Sequence, residues 1–280
     1  MITSCSPGWV NMIELKYPDL LPHLSSAKSP QQMFGAIAKT YYAEKAGIDP
    51  AKIVSVSVMP CTAKKAEAAR PEMNASGYRD VDVVITTREL GRMIREAGLD
   101  FKHLPEDSYD SPLGTGTGAA VIFGTTGGVM EAALRTVADV LTGENLQTVD
   151  YNDVRGMEQT REAELTIAGN TVKIAVVHTL ASARKILERI SIRAGEADYQ
   201  FIEVMACPGG CIGGGGQPIP VNAEIRRARR EGLFDCDSAN ELRKSHENPE
   251  IKELYDTWLG KPLGEKAHSL LHTHYHQQTR

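Results

Sequence analysis

Cysteine is scarce in this sequence, five residues in 280. No charged stretch followed by an apolar run opens the chain, so a secreted disulfide framework is not indicated; a cytosolic chain keeps its thiols reduced, and the cytoplasm is the expected location. Long apolar runs are also missing. None approaches the roughly 18 residues needed to cross a bilayer. Positive charge is not in excess: the net charge is −5, which gives no reason to expect a nucleic-acid partner. The one basic run, Arg226 to Arg230, precedes Glu231 in a helical pattern and reads as a solvated helix face. At 41% hydrophobic and 24% charged residues the chain is an ordinary soluble globular protein, long enough for one large α/β domain or two lobes.

What is present is concentrated in Glu203 to Pro218, EVMACPGGCIGGGGQP. An apolar run, Tyr199 to Ala206, reads as a buried strand that delivers Cys207 and Cys211 into a loop of six glycines. Backbone without side chains can come close to a bulky inorganic group. A structural zinc site shows two tight ligand pairs, and here one C-x3-C pair stands with the other cysteines far off in sequence. Scattered cysteines around one close pair suit an iron–sulfur cluster better.

The rest of the chain alternates strand and helix. Ile53 to Met59 reads as a buried strand ending at Pro60 and Cys61, and Val81 to Ile85 as a second strand. Thr87 to Ala97 follows as a helix with Leu90, Met93 and Ile94 inward. Gln31 to Ala46 and Leu180 to Gly195 are expected helices, and a hairpin is expected around Gly169-Asn170. Tyr109 to Gly118 is a polar linker, and Ala119 to Leu134 carries Gly124, Gly127 and Gly128 beside apolar Phe123 and Met130. After Pro218 the pattern becomes helical only: Asn222 to Glu231, Asp237 to Ser245, Glu250 to Leu259 and Glu265 to Leu271. The expected class is α/β, two-lobed, with mostly parallel sheets flanked by helices and an all-helical C-terminal extension. Cys61 then lies at the carboxyl end of a strand, where open α/β sheets place their sites. His268, His272, His274 and His276 read as a solvated tail, and Cys236 as structural or incidental. Met1 and Ile2 lead straight into Thr3-Ser-Cys-Ser-Pro-Gly-Trp9, so a loop there would have no strand to position it; the expectation is a chain whose N-terminal part is missing.

Three stretches, Thr3 to Trp9, Met59 to Glu67 and Glu203 to Pro218, resemble in order and spacing the three signatures of the [FeFe]-hydrogenase catalytic domain. Arg243 to Tyr255 resembles the family's small-subunit segment, which gives residues 1–218 as the H-cluster domain and 219–280 as a fused small-subunit-like segment. The resemblance implies an H-cluster: a [4Fe–4S] cubane bridged through Cys211 to a two-iron subsite with carbon monoxide, cyanide and azadithiolate. Cys61, Cys207 and Cys211 would be metal ligands. The family has two adjacent cysteines in its first signature, and this chain has Cys5 and Ser6. Register puts Ser6 at the ligand position and Cys5 at the proton carrier; the softer thiolate makes Cys5 the alternative ligand. Lys64 would donate to a cyanide, with backbone near Pro30 and Gln31 serving another. Met59, Pro60, Phe123 and Met205 would line the pocket, and Ser25 and Glu67 are candidates for the proton path, set against the plainer readings of a turn serine and an exposed helix carboxylate.

The implied activity is reversible interconversion of dihydrogen with protons and electrons. Electrons would pass to ferredoxin or an NAD(P)-linked subunit, and maturation proteins would install the subsite. Two other readings use the same residues: a hydrogen sensor, and a hydrogenase-like iron–sulfur assembly protein without the two-iron subsite.

Overall fold

The computed structural model describes residues 1–147, 149–192 and 199–279. Its frame is a three-stranded sheet in the order β3-β4-β5, built from β3 (Thr160–Ile167), β4 (Asn170–His178) and β5 (Phe201–Met205). The first two strands form an antiparallel hairpin, and β5 is parallel to β4. Ala168 and Gly169 both take positive φ, the twist-matched geometry of a two-residue hairpin loop. The turn thus sits one residue earlier than the sequence pattern suggests.

Period-two alternation sends β4 side chains to two separate cores. Ala175 and Val177 join Ile2, Trp9, Ile13, Leu187, Ile202 and Val204 on one face, under α1 (Pro7–Lys16) and α8 (Leu180–Ile192). Ile174 and Val176 join Met130, Leu134 and Val154 on the other, under α7 (Gly128–Thr142). The sequence extends α8 to Gly195, and that end lies outside the described residues.

The N-terminal stretch is anchored, contrary to the expectation of an unsupported loop. Ile2 bridges in parallel to both Ile202 and Leu24, Thr3 N–H donates to Ile202 O at 3.0 Å, and Trp9 Nε1 donates to Thr3 O at 2.9 Å. Three residues are enough because β5 offers them a free edge.

The second sheet has two parallel strands, β1 (Val56–Met59) and β2 (Val83–Thr86). Its inner side packs Val84 and Met59 on Ala68 of α4 (Ala63–Ala68). Its outer side is open: Val54 is 67% exposed, and Val56, Val58 and Val83 are exposed with it. The buried strand read from Ile53 to Met59 is therefore buried on one side, because no described element crosses the other. The helix α5 (Thr87–Glu96) starts on a capping box between Thr86 and Glu89 and buries no residue, so Met93 points outward and not inward.

Two further helices precede these sheets, α2 (Pro30–Ile37) and α3 (Ala43–Ala46), joined by a π-helical turn. Between the sheets lie the linker and α6 (Gly118–Ile122). The C-terminal segment is helical, as α9 (Ala223–Ala239), α10 (Pro249–Leu254) and α11 (Glu265–Leu271). The separate helix expected over Asp237 to Ser245 does not form. Gly232 is no break, since an exposed helix glycine costs only about 1 kcal/mol, and α9 runs through it. What stops α9 is an ion network: Arg135 on α7 holds Asp237 through two bonds of 2.7 Å and Glu131 at 2.8 Å, all three buried, while Arg243 and Lys244 fold back onto Asp150 and Asp139. The histidine tail is docked too, with Thr273 N–H donating to Ser26 O and His272 Nδ1 2.9 Å from Ser26 Oγ.

Candidate iron–sulfur centre

Three cysteine-bearing segments leave the two sheets at neighbouring points. Cys61 follows β1, Cys207 follows β5, and Cys5 follows the residues bridged to β5. The loop from Cys207 to Pro218 is stitched across them. Gly216 N–H donates to Pro60 O at 3.0 Å, Ile212 N–H to Gly124 O at 2.9 Å, and Thr126 N–H to Gly209 O at 2.9 Å. Two glycines make the crossing possible: a Cβ on Gly214 would lie 2.1 Å from Pro60 O, and one on Gly216 would lie 2.8 Å from Cys61 N. Packing of the ligand loop on the Met59–Cys61 motif therefore excludes a side chain at either position.

The four thiols form one electrostatic group. Burial pushes Cys211 up to about 12, with the Cys5, Cys61 and Cys207 sulfurs adding to the rise and Lys64 opposing it. Burial pushes Cys5 up to about 11, offset by Lys64 and reinforced by the Glu203 and Glu67 carboxylates. Cys207 is raised by burial and then by Cys61. Desolvated thiols resist ionising one at a time, whereas a bound cation ionises them together. The donor set, Cys61, Cys207 and Cys211 within one another's fields beside a loop of bare backbone, fits an iron–sulfur cluster. Cys236 lies exposed on α9, outside this group.

Lys64 points inward. Its Nζ donates to Cys5 O at 3.0 Å and to both oxygens of Glu67 at 3.0 Å, with both side chains under a tenth exposed. Glu67 is thus no exposed helix carboxylate. It also accepts from Ser29 Oγ at 2.7 Å and Gln31 Nε2 at 3.1 Å, and Gln31 Oε1 accepts from Ser57 at 2.9 Å. Pro30 and Gln31 open α2 beside this cluster, and the Gln31 side chain is fully committed to it. Met205 is buried, and Met59, Pro60 and Phe123 are half-buried. Ser25 sits in the turn after Leu24, its Oγ accepting from Ala27 N–H at 3.3 Å and its own N–H donating to Ile2 O at 2.8 Å. Ser6 Oγ accepts from Ala206 N–H at 3.2 Å, against the residue before Cys207.

Sequence reasoning missed three residues here. Ser29 had no signal beyond its place before Pro30. His178, at the end of β4, accepts from Gly209 N–H at Nδ1 (3.2 Å); the proton therefore sits on Nε2, facing Met157 O at 3.1 Å. Burial lowers its pKa, which keeps that acceptor free for the ligand loop. Glu203 could have been suspected as a lone charge in an apolar strand. It is fully buried and accepts from Gly127 N–H at 2.6 Å and Met130 N–H at 2.8 Å, capping α7 and tying the Gly124–Gly127 turn to β5.

Burial raises Glu203 to about 7, although the Gly127 and Met130 N–H bonds pull the other way. A carboxyl raised above its unfolded value adds stability that is complete below about pH 4.5 and is lost as pH rises through 7. The expected size is up to roughly 3 kcal/mol. Urea unfolding at pH 5 and pH 7.5 should show this loss in the parent and a flatter profile in Glu203→Gln; parallel profiles would mean the carboxyl stays ionised throughout.

Comparison with known proteins places these features in context. Residues 1–215 match the family model for the iron only hydrogenase large subunit, C-terminal domain, and residues 223–278 match the iron hydrogenase small subunit. The chain is 54% identical over 281 residues to the NADP-reducing hydrogenase subunit HndD of Solidesulfovibrio fructosivorans, covering 100% of this chain and 48% of that protein. It is 51% identical over 217 residues to the periplasmic [Fe] hydrogenase large subunit of Nitratidesulfovibrio vulgaris, covering 78% of this chain and 51% of that one. A solved variant of the [FeFe]-hydrogenase HydA1 from Chlamydomonas reinhardtii superposes with a TM-score of 0.84 at 45% identity, over 99% of this chain and 76% of that chain. The chain thus spans about half the length of these curated relatives. No described helix is long and apolar enough to cross a membrane.

Proposed function

The chain belongs to the iron-only hydrogenase family, and from that premise we propose that it forms the catalytic part of an [FeFe]-hydrogenase interconverting dihydrogen with protons and electrons. The observation that carries this reading is the buried Lys64–Glu67 pair beside Cys5, with the Lys64 ammonium within the field of both the Cys5 and the Cys211 thiols. A cluster carrier needs the thiols alone; a buried ammonium next to them suits anionic diatomic ligands such as cyanide. When bound, the H-cluster, a [4Fe–4S] cubane joined to a two-iron subsite with carbon monoxide, cyanide and azadithiolate, supplies hydrogen polarisation and electron storage.

The chain's own residues divide the remaining work. Cys61, Cys207 and Cys211 would hold the cubane as thiolates, with Cys211 also bridging to the subsite. Ser6 Oγ, already turned toward Ala206 at the base of the ligand loop, would take the fourth position. Cys5 would carry the proton: its thiol lies within the field of Lys64, Glu203 and Glu67, and burial holds it in the protonated form until a base takes the proton. Lys64 would hold a cyanide from the second layer, Met59, Met205, Phe123 and Pro60 would exclude water, and Ser25 and Glu67 would relay protons outward. Ferredoxin or an NADP-linked subunit would exchange electrons, and maturation proteins would insert the subsite. A reducing cytoplasm is the compartment that such a thiol site fits.

Infrared spectroscopy after maturation tests the reading. Cyanide and carbon monoxide bands with hydrogen turnover are the expected result. A matured sample with a cubane but no such bands would favour the assembly-protein reading, and bands with very slow turnover would favour a sensor.

A further inference from the structure

The last turn of α11 ends in a pair of stacked imidazoles. His268 on the helix and His272 at its C-cap lie four residues apart, with ring centroids at 4.5 Å and planes 9° from parallel. The pair is built into the fold on one side and open on the other. His272 is half-buried, and its Nδ1 lies 2.9 Å from Ser26 Oγ, 246 positions away in sequence. His268 is exposed, and among the described residues its ring has no hydrogen-bond partner.

The backbone around the pair is fixed. Lys28 N–H donates to Leu271 O at 2.9 Å and Thr273 N–H to Ser26 O at 2.8 Å, on either side of an antiparallel bridge between Ala27 and His272. Ser26 Oγ is thereby held against the His272 ring. With Nδ1–H donated to that hydroxyl, the lone pair on Nε2 is left free, and an oxygen partner that sets tautomer and ring orientation is what a metal-binding imidazole requires. Burial, and then the neighbouring His268, lower the pKa of His272, so its ring is neutral at pH 7. The C-terminal end of a helix also carries partial negative charge, which favours a cation there. Among the described residues no third histidine, cysteine or carboxylate forms a compact group with these two, so water would take the remaining positions.

We propose that His268 and His272 bind a divalent transition-metal ion of the zinc(II) type, with Ser26 as the residue that orients the second imidazole. Imidazole nitrogen is a ligand that such ions take readily. Zinc–nitrogen bonds of about 2.0–2.1 Å put two ligand nitrogens at most about 4 Å apart. The parallel rings stand slightly wider than that, and a tilt of the exposed His268 ring closes the pair while Ser26 keeps the other ring still. A bound ion would pin the end of α11 to the Ser26–Ala27 stretch, which leads directly to Ser29 and Gln31, the two side chains that donate to Glu67 from α2 and its N-cap. The site is structural, and it stands whether or not the chain turns over hydrogen.

The test titrates cluster-loaded protein, whose ligand cysteines are occupied, with zinc(II) alone under anaerobic conditions. Calorimetry should give one zinc per chain, with binding at least tenfold weaker in His268→Ala and in His272→Ala. Ser26→Ala keeps both imidazoles and should still weaken binding by about 10- to 100-fold, the loss expected when an orienting partner is removed. The double variant His274→Ala/His276→Ala should bind as the parent does. X-ray absorption at the zinc edge should show imidazole nitrogen and water oxygen, without sulfur. Saturating zinc should raise the unfolding midpoint of the parent and leave that of His268→Ala unmoved, because an ion that binds only the folded chain stabilises it. If His272→Ala loosens the tail, His268→Ala decides, since the exposed ring holds no other group. Absence of binding, sulfur in the zinc shell, or binding that survives His268→Ala and disappears with His274 and His276 overturns the proposal.

Discussion

Cys5→Ala should keep its iron and lose hydrogen turnover by about 10²- to 10⁴-fold, the range that a positioned proton carrier supplies. The Cys5 thiol sits beside Lys64, whose ammonium holds Cys5 O at 3.0 Å, so the loop backbone is fixed without the side chain and the variant should fold. Ser6→Cys is expected to act in the opposite way. Ser6 Oγ faces Ala206 N–H, one residue from Cys207. A thiolate in that place binds iron more strongly than a serine oxygen, because serine is far less acidic, and metal binding is linked to folding. Iron retained during timed chelation, together with turnover, separates the two roles in the parent and both variants. Loss of iron in Cys5→Ala would transfer the ligand role to Cys5, and Ser6→Cys should then chiefly raise turnover by restoring a free thiol. Unchanged iron and turnover in both variants would leave the first motif without a part in the site.

The sequence made the cysteine-bearing loops legible because glycine and cysteine spacing is a local property. Cys207 and Cys211 sit on a loop that needs bare backbone, and Gly214 and Gly216 lie where a Cβ would strike Pro60 and Cys61. Strand ends at Met59 and Met205 were equally readable from short apolar runs. Residues whose role depends on long-range pairing were not. Glu67 reads as a surface carboxylate from its helix, and becomes buried only because Ser29 and Gln31, 36 to 38 positions earlier, come to meet it. Asp237 looked like a helix start and is instead held by Arg135, 102 positions away. The outer face of β1 misled in the other direction: valines in sequence signal burial, but burial also requires something to cover them, and no described element does. Arg226 to Arg230 is the same lesson for charge, since helical spacing alone does not reveal that Arg229 faces the carbonyls of a ligand loop.

Lys64→Met should cost stability as well as chemistry, and the two losses can be pulled apart. Removing the ammonium leaves the Glu67 carboxylate buried with Ser29 and Gln31 as its side-chain donors, where two contacts from Lys64 stood before. Breaking a buried pair from one side is expected to lower the unfolding free energy by about 3–5 kcal/mol, because the remaining charge is uncompensated. The double variant Lys64→Met/Glu67→Gln replaces the pair by neutral groups of similar volume and should recover most of that loss, since such pairs contribute little net stability. Ser29 can still donate to the amide oxygen of the introduced glutamine, so the start of α2 stays attached. Hydrogen turnover should not recover. Neither variant can donate a charge-assisted hydrogen bond into the site, and the double variant also lacks the Glu67 carboxylate of the proton path, so the cyanide bands of the matured enzyme, expected to shift in both to the same extent, are the readout specific to the ammonium. Denaturant unfolding and infrared spectra of the three proteins decide the matter. Recovery of stability together with unshifted cyanide bands and parent-level turnover would reduce Lys64 to half of an internal salt bridge, and the ammonium would then have no role toward the cluster.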